Sequence, residues 1–278
     1  MNFKDMTDKV ICGDCLEVMK DIPSKSIDLT VTSPPYDNLR DYKGYNFDFE
    51  GLANELFRTT KDRGVVVWVV GDATINGSET GTSFRQALFF KEIGFNLHDT
   101  MIYACNKPPL THKRYEQSFE YMFVFIKGNI KTFNPILKKN EYVGQNSIRN
   151  GNWASGKDNS AMRQREEKKN VKEYGIINNI WYYETGGNKT TKDKIAFEHP
   201  AIFPEKLVED HIKSWSNEGD IVLDPFLGSG TTAKVAKKLK RKYIGIDISE
   251  EYCKLARLRV GGQKKVGFEK CKKLEAFE

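Results

Sequence analysis

A threonine, a serine, two prolines and a tyrosine, Thr32-Ser33-Pro34-Pro35-Tyr36, form the segment of this 278-residue chain best suited to chemistry on an amine. Each proline fixes its φ and removes an N–H, so the carbonyls around it stay rigid and free to accept hydrogen bonds. Ser33 sets a hydroxyl oxygen beside them, and Tyr36 adds an aromatic face for stacking. An exocyclic –NH2 group has two protons to offer such an acceptor pair. Engaging both would draw the nitrogen lone pair out of the ring plane and aim it at an electrophile. Read alone, the same residues also describe an ordinary Pro-Pro turn with a packing tyrosine.

The second segment is Asp224-Pro-Phe-Leu-Gly-Ser-Gly-Thr-Thr232. Gly228 and Gly230 permit a tight turn and close approach to the backbone. The helix expected to follow opens with unpaired amides and a partial positive charge, suited to a phosphate or a carboxylate. The P-loop pattern lacks its Lys-Ser/Thr pair, and Ala233 stands where a dinucleotide fingerprint has its third glycine. Asp247 follows Asp224 by 23 residues, about the spacing at which an acid holds ribose hydroxyls. A ligand with a ribose and a carboxylate but no phosphate fits best, and S-adenosylmethionine is one. A purely structural strand–helix turn is the alternative.

Strands alternating with helices must carry these turns. Lys9–Cys12, Ser26–Ser33, Gly64–Gly71, Asn96–Cys105, Phe119–Lys127, Asp220–Asp224 and Lys242–Asp247 read as strands. Gly81–Ile93, a helix opened by Pro204, Thr231–Lys240 and Glu250–Arg259 read as helical. Leu207, Val208, His211, Ile212 and Trp215 make the apolar stripe of the Pro204 helix. The expected fold is α/β: a doubly wound, mostly parallel, Rossmann-like sheet. Residues 128–179, rich in Asn, Gly, Ser, Lys and Arg, are too long for a mere connection and read as a loop-rich insertion.

Charge singles out the same insertion. The chain carries +6 overall, and residues 127–172 hold 11 Lys/Arg against 4 Asp/Glu, a local net of +7. A basic segment on a near-neutral body suits a polyanion, and equally a solvated loop. Five scattered cysteines argue against a disulfide framework, and Cys12-Gly-Asp-Cys15 lacks the second pair a zinc site needs. No apolar run reaches membrane-spanning length, the longest being Val65 to Val70. No signal peptide opens the sequence, so a cytoplasmic, nucleoid-associated address is expected.

Together these segments resemble the DNA amino-methyltransferases, which methylate cytosine N4 or adenine N6. Thr32–Tyr36 is similar to their [S/D/N]-PP-[Y/F/W] signature, and Asp224–Thr232 to their FxGxGT cofactor loop. Gly13-Asp14-Cys-Leu-Glu-Val-Met19 resembles the segment whose Asp approaches the cofactor adenine, and His199–Leu207 the segment upstream of the glycine loop. The resemblance spans residues 10–127 and 180–260 in the β-type motif order, catalytic turn first.

It implies a catalytic domain over 1–127 and 180–262, a target-recognition insertion at 128–179, and a basic tail at 263–278. Ser33, Pro34, Pro35 and Tyr36 would be catalytic. Asp14, Cys15, Ser33, Phe203, Pro204, Asp224, Phe226, Gly228, Ser229, Gly230, Thr231, Thr232 and Asp247 would bind S-adenosylmethionine. His112, Lys113, Arg114, Lys138, Lys139, Arg149, Arg163 and Arg165 would meet double-stranded DNA. No metal is implied. In the family, Ser at position 33 goes more often with cytosine N4, with adenine N6 as the alternative. Other readings are an RNA or protein amine methyltransferase and a non-catalytic DNA-binding or specificity subunit. A restriction-modification setting, a cognate endonuclease and a homodimer fit the family, though no residue specifies them.

Overall fold

A central strand of a parallel sheet is covered on both faces and therefore reads as a near-continuous buried run. Ile27–Thr32 (β2) is such a strand, with five of its six residues buried. In the computed structural model, which describes residues 2–35, 47–106, 114–144, 146–147, 169–187 and 189–262, it lies mid-sheet. The other main-sheet strands are Lys9–Cys12 (β1), Thr60–Val70 (β3), Asn96–Ala104 (β4), Phe119–Ile126 (β5), Ile180–Tyr182 (β6), Ile221–Asp224 (β7) and Lys242–Asp247 (β8). Their order is β1-β8-β7-β2-β3-β5-β4-β6. All neighbours are parallel except β5, which runs antiparallel to β3 and β4. From β2 the chain moves toward β3 on one side; from β7 it moves toward β8 on the other. The gap between β2 and β7 is the topological switch point, where such sheets bind ligands.

Helices cover both faces. Cys15–Met19 (α1), Phe49–Thr59 (α2) and Thr82–Glu92 (α3) lie on one. Leu52, Leu56, Ala87 and Phe90 join alternate strand residues Val66, Trp68, Val70, Phe123 and Phe125 in one core. The other face takes Glu205–Trp215 (α4), Thr231–Lys238 (α5) and Glu250–Val260 (α6). The α4 stripe of Leu207, Val208, His211, Ile212 and Trp215 is buried as expected. Pro204 sits one residue earlier than expected, as the N-cap (φ −62°, ψ 124°), because helical dihedrals begin only at Glu205.

Two compact units divide the chain: Met1–Asn134 with Asn179–Glu278, and Pro135–Asn178. Within the second, Leu137–Lys139 pairs antiparallel with Tyr174–Ile176, and Asn146–Ser147 with Lys169–Asn170. Residues 128–134 belong to the first unit, where the Asn134 amide donates to the Ser214 carbonyl at the end of α4. Among the described residues no helix is long and apolar enough to cross a membrane.

Candidate active site at the ends of β2 and β7

β2 ends at Thr32 and β7 at Asp224, so the proline turn and the glycine loop leave the sheet side by side. A buried hydrogen bond ties them: Thr32 Oγ1 donates to Asp224 Oδ1 at 2.7 Å. Thr232 Oγ1 spans the same gap to the Val31 carbonyl at 3.4 Å. Asp224 Oδ1 also accepts the Phe226 amide at 3.1 Å, which starts the loop's turn. Burial pushes the Asp224 carboxyl up to about 6, held back by its bonds to Thr232, Thr32 and Phe226. Ser33 and Pro35 are partly exposed and Pro34 is buried. Tyr36 lies outside the described residues.

The loop crosses to β8. The Leu227 amide donates to the Ile246 carbonyl at 2.8 Å, and the Gly228 amide to Asp247 Oδ2 at 2.8 Å. Asp247 Oδ1 accepts the Ser249 amide at 2.8 Å. Burial raises the Asp247 carboxyl, against those two amides. A carboxylate has about four acceptor directions, and these amides take two of them. In register with Asp247 is Cys12 of β1. Two residues on, Asp14 caps α1 by accepting from the Leu16 and Glu17 amides at 2.8 and 3.2 Å.

Gly228 (φ +51°) and Gly230 (φ +85°) both need the left-handed region. The space beside them is not left for a ligand. A Cβ on Gly228 would lie 2.9 Å from His199 Nε2, and one on Gly230 2.7 Å from the Ala256 Cβ. The glycines admit protein rather than ligand.

The expected cofactor residues differ in where their side chains lie. Ser229, Thr231 and Thr232 are buried and bond inward, Ser229 Oγ and Thr231 Oγ1 both accepting from Arg259. The loop therefore offers backbone rather than hydroxyls. α5 follows Gly230 with no side-chain cap on its first amides, a feature suited to a carboxylate. Cys15 is buried in the core because α1 turns it inward. Phe226 packs edge-on to Phe47 at 5.3 Å, Phe203 is partly exposed, and Pro204 is buried. With its amides, its acid and its half-exposed Ile248 beside Asp247, the cradle fits a nucleoside bearing a carboxylate.

His112, Lys113, Arg149, Arg163 and Arg165 lie outside the described residues. Arg114 bonds to Glu79 and to the Gly77 carbonyl within the first unit. Lys138 and Lys139 lie on the short strand of the second unit, and both are exposed.

Ile248 and Arg259 carried no functional role in the sequence reading, and Thr32 and His199 entered it only as the ends of their segments. The readable signal was strongest for Arg259, an arginine on the buried stripe that holds Leu255 and Ala256.

The described geometry agrees with what comparison shows. The family model for DNA methylases matches residues 27–258. An orphan methyltransferase of Bacillus amyloliquefaciens, M.BamHII, is 58% identical over 252 residues, 89% of this chain and 90% of that relative. Among solved structures, the cytosine-N4-specific PvuII DNA methyltransferase superposes with a TM-score of 0.65 at 22% identity, covering 90% of this chain and 85% of that one. The M1.HpyAVI–SAM complex gives 0.59 at 25% identity, covering 90% and 98%.

Proposed function

The chain belongs to the DNA methylase family, and from that premise we propose how its own residues divide the work of methylating DNA. It is an S-adenosylmethionine-dependent DNA amino-methyltransferase. The cofactor, when bound, supplies a methyl group on a sulfonium. The Gly228–Thr232 backbone and the α5 N-terminus would hold its carboxylate end. Asp247 would take the ribose hydroxyls, with Asp14 and Ile248 toward the base.

The target amine sits inside the duplex stack, so its base must be flipped out, at a cost of a few kcal/mol. Ser33 Oγ and the Pro34 carbonyl would accept hydrogen bonds from the two amine N–H groups, and Tyr36 would stack on the extruded ring. As the nitrogen takes the methyl from the sulfonium it releases one proton to solvent. Positioning then accounts for much of the rate, because the nitrogen is held in line with the methyl it attacks. We assign the target as cytosine N4, on Ser rather than Asp at position 33, with adenine N6 as the alternative. The basic residues of 128–179 would contact duplex DNA. A homodimer and a partner endonuclease belong to the same proposal.

The observation that carries this reading is the 2.7 Å bond from Thr32 to Asp224, which ties the ends of the two functional strands together. Labelled cofactor incubated with duplex DNA, followed by digestion to nucleosides, tests it. Label is expected in N4-methylcytosine, and label in N6-methyladenine sinks the cytosine assignment. Ser33→Ala is expected to cut turnover by roughly 100-fold, the scale of a misplaced reacting group, with cofactor binding unchanged. Turnover equal to wild type removes Ser33 from catalysis.

A further inference from the structure

Below the glycine loop lies a closed set of charges that the reaction itself does not use. The Arg259 side chain, on the last turn of α6, is fully buried. A buried guanidinium requires all its donors to be met. Nη1 donates to the Ser229 carbonyl at 2.7 Å, to Ser229 Oγ at 2.8 Å and to Thr231 Oγ1 at 3.1 Å. Nη2 donates to Glu205 Oε1 at 2.8 Å, and Nε to Asp193 Oδ2 at 3.4 Å. Lys234 bridges the same two carboxylates at 2.5 and 2.7 Å, and Thr191 Oγ1 donates to Glu205 at 2.6 Å. Two cations thus balance two anions.

The wiring is specific to the loop. The peptide between Ser229 and Gly230 is gripped at both ends: its carbonyl by Arg259, its N–H by the Leu227 carbonyl at 3.0 Å. Because a peptide is planar, the orientation of the unit is then fixed. Ala256, one turn before Arg259, closes against Gly230. Glu205, the other end of the fork, follows Phe203-Pro204 directly. One side chain therefore joins the glycine loop to the start of α4.

We propose that Arg259, anchored by Glu205 and Asp193, is a positioning residue that holds the glycine loop in its cofactor-binding shape before the cofactor arrives. The proposal rests on the assignment of that loop to S-adenosylmethionine. Loop ordering done in advance need not be done at binding, so affinity rises. The demand is for a planar fork. Lysine keeps the charge but cannot span Ser229, Glu205 and Asp193 together.

The test uses the full chain. In Arg259→Lys, the dissociation constant for S-adenosylmethionine, measured by calorimetry, should rise about tenfold or more, the worth of lost charge-assisted bonds. The turnover number at saturating cofactor should stay near wild type while KM for the cofactor rises. Without cofactor, amide hydrogen exchange at Ser229–Thr232 should quicken while β2 and β3 stay protected. Because a lone deletion leaves a buried charge unmatched, the second variant is Arg259→Met with Glu205→Gln. It should regain thermal stability but not affinity. A merely structural role predicts that stability and affinity recover together, and that result overturns the proposal. So does wild-type affinity, or unchanged loop exchange, in Arg259→Lys. A wild-type protein that never binds S-adenosylmethionine would instead overturn the assignment of the loop. The exchange measurement still decides whether Arg259 holds it.

Discussion

Gly230 combines a left-handed backbone with a neighbour that leaves no room, and the two costs are separable. Gly219 has nearly the same φ, +87° against +85°, yet nothing lies within 4 Å of where its Cβ would be. Gly219→Ala should therefore show the dihedral cost alone, about 1–2 kcal/mol. Gly230→Ala should cost more, because α6 must move off the loop to relieve the Ala256 contact, and cofactor affinity should fall with it. Denaturant midpoints and cofactor titrations on the two variants check this. Equal losses in both would show that the Ala256 contact carries no weight. At this scale type and spacing single out the proline turn, the two glycines and Asp247. They do not single out residues that act by touching something distant in sequence. Thr32 meets Asp224 across 192 positions, and no local pattern announces that.

α4 shows what an element adds to its residues. Its stripe was legible from spacing, but a histidine on that stripe has consequences periodicity does not reveal. His211 is wholly buried, its ring tilted against Trp181 at 4.8 Å between ring centroids. Its Nδ1 accepts from Trp215 Nε1 at 3.2 Å, leaving Nε2 beside Met122 Sδ at 3.2 Å. With no carboxylate among these partners, burial lowers the imidazole to about 3. The unfolded chain titrates near 6.5. The folded state thus gains from a neutral ring above pH 6.5, and that gain is lost as pH falls toward 3. By pH 5 His211 should have removed about 2 kcal/mol of stability. His211→Gln, which does not ionise, should show a shallower fall between pH 7.5 and pH 5 in urea unfolding. An identical fall in both proteins would assign the acid sensitivity elsewhere. Other elements were less readable. α1 has only five residues, too few to show a period. α2 was overlooked although Asp48 caps it, accepting the Gly51 amide at 2.9 Å. Its signal began directly after the long polar stretch behind the proline turn. β6 has three residues, and its place beside β4 is set by pairing rather than by its own pattern.

For the molecule as a whole, the α/β architecture was legible, because the alternation of strands and helices follows from patterning along the chain. Most of the strand order was not, since pairing partners are chosen by packing across long separations; the neighbouring of β2 and β7 follows from the doubly wound fold of the family the sequence resembles. The charge asymmetry leads to a measurable prediction. Lys138 lies on the short antiparallel pair of the second unit. If its ammonium contacts a phosphate, Lys138→Ala should weaken DNA binding across sequences and flatten the plot of log K against log salt by about one. Lys20→Ala serves as control, since Lys20 is paired with Glu17 on α1 at 2.7 Å and should leave the slope alone. An unchanged slope in Lys138→Ala would remove that residue from the phosphate contacts.

The adjacency of β2 and β7 also has a consequence for synthesis. A ribosome releases the proline turn early, yet the strand that must lie beside it emerges almost two hundred residues later. Until then β2 has an open edge, and such non-local parallel pairings close slowly. If Asp247 holds the ribose as proposed, the nascent chain should not bind a methyl donor until that residue has left the exit tunnel. Translation that stalls short of that point yields a chain that already displays its proline turn and is unable to mark the genome.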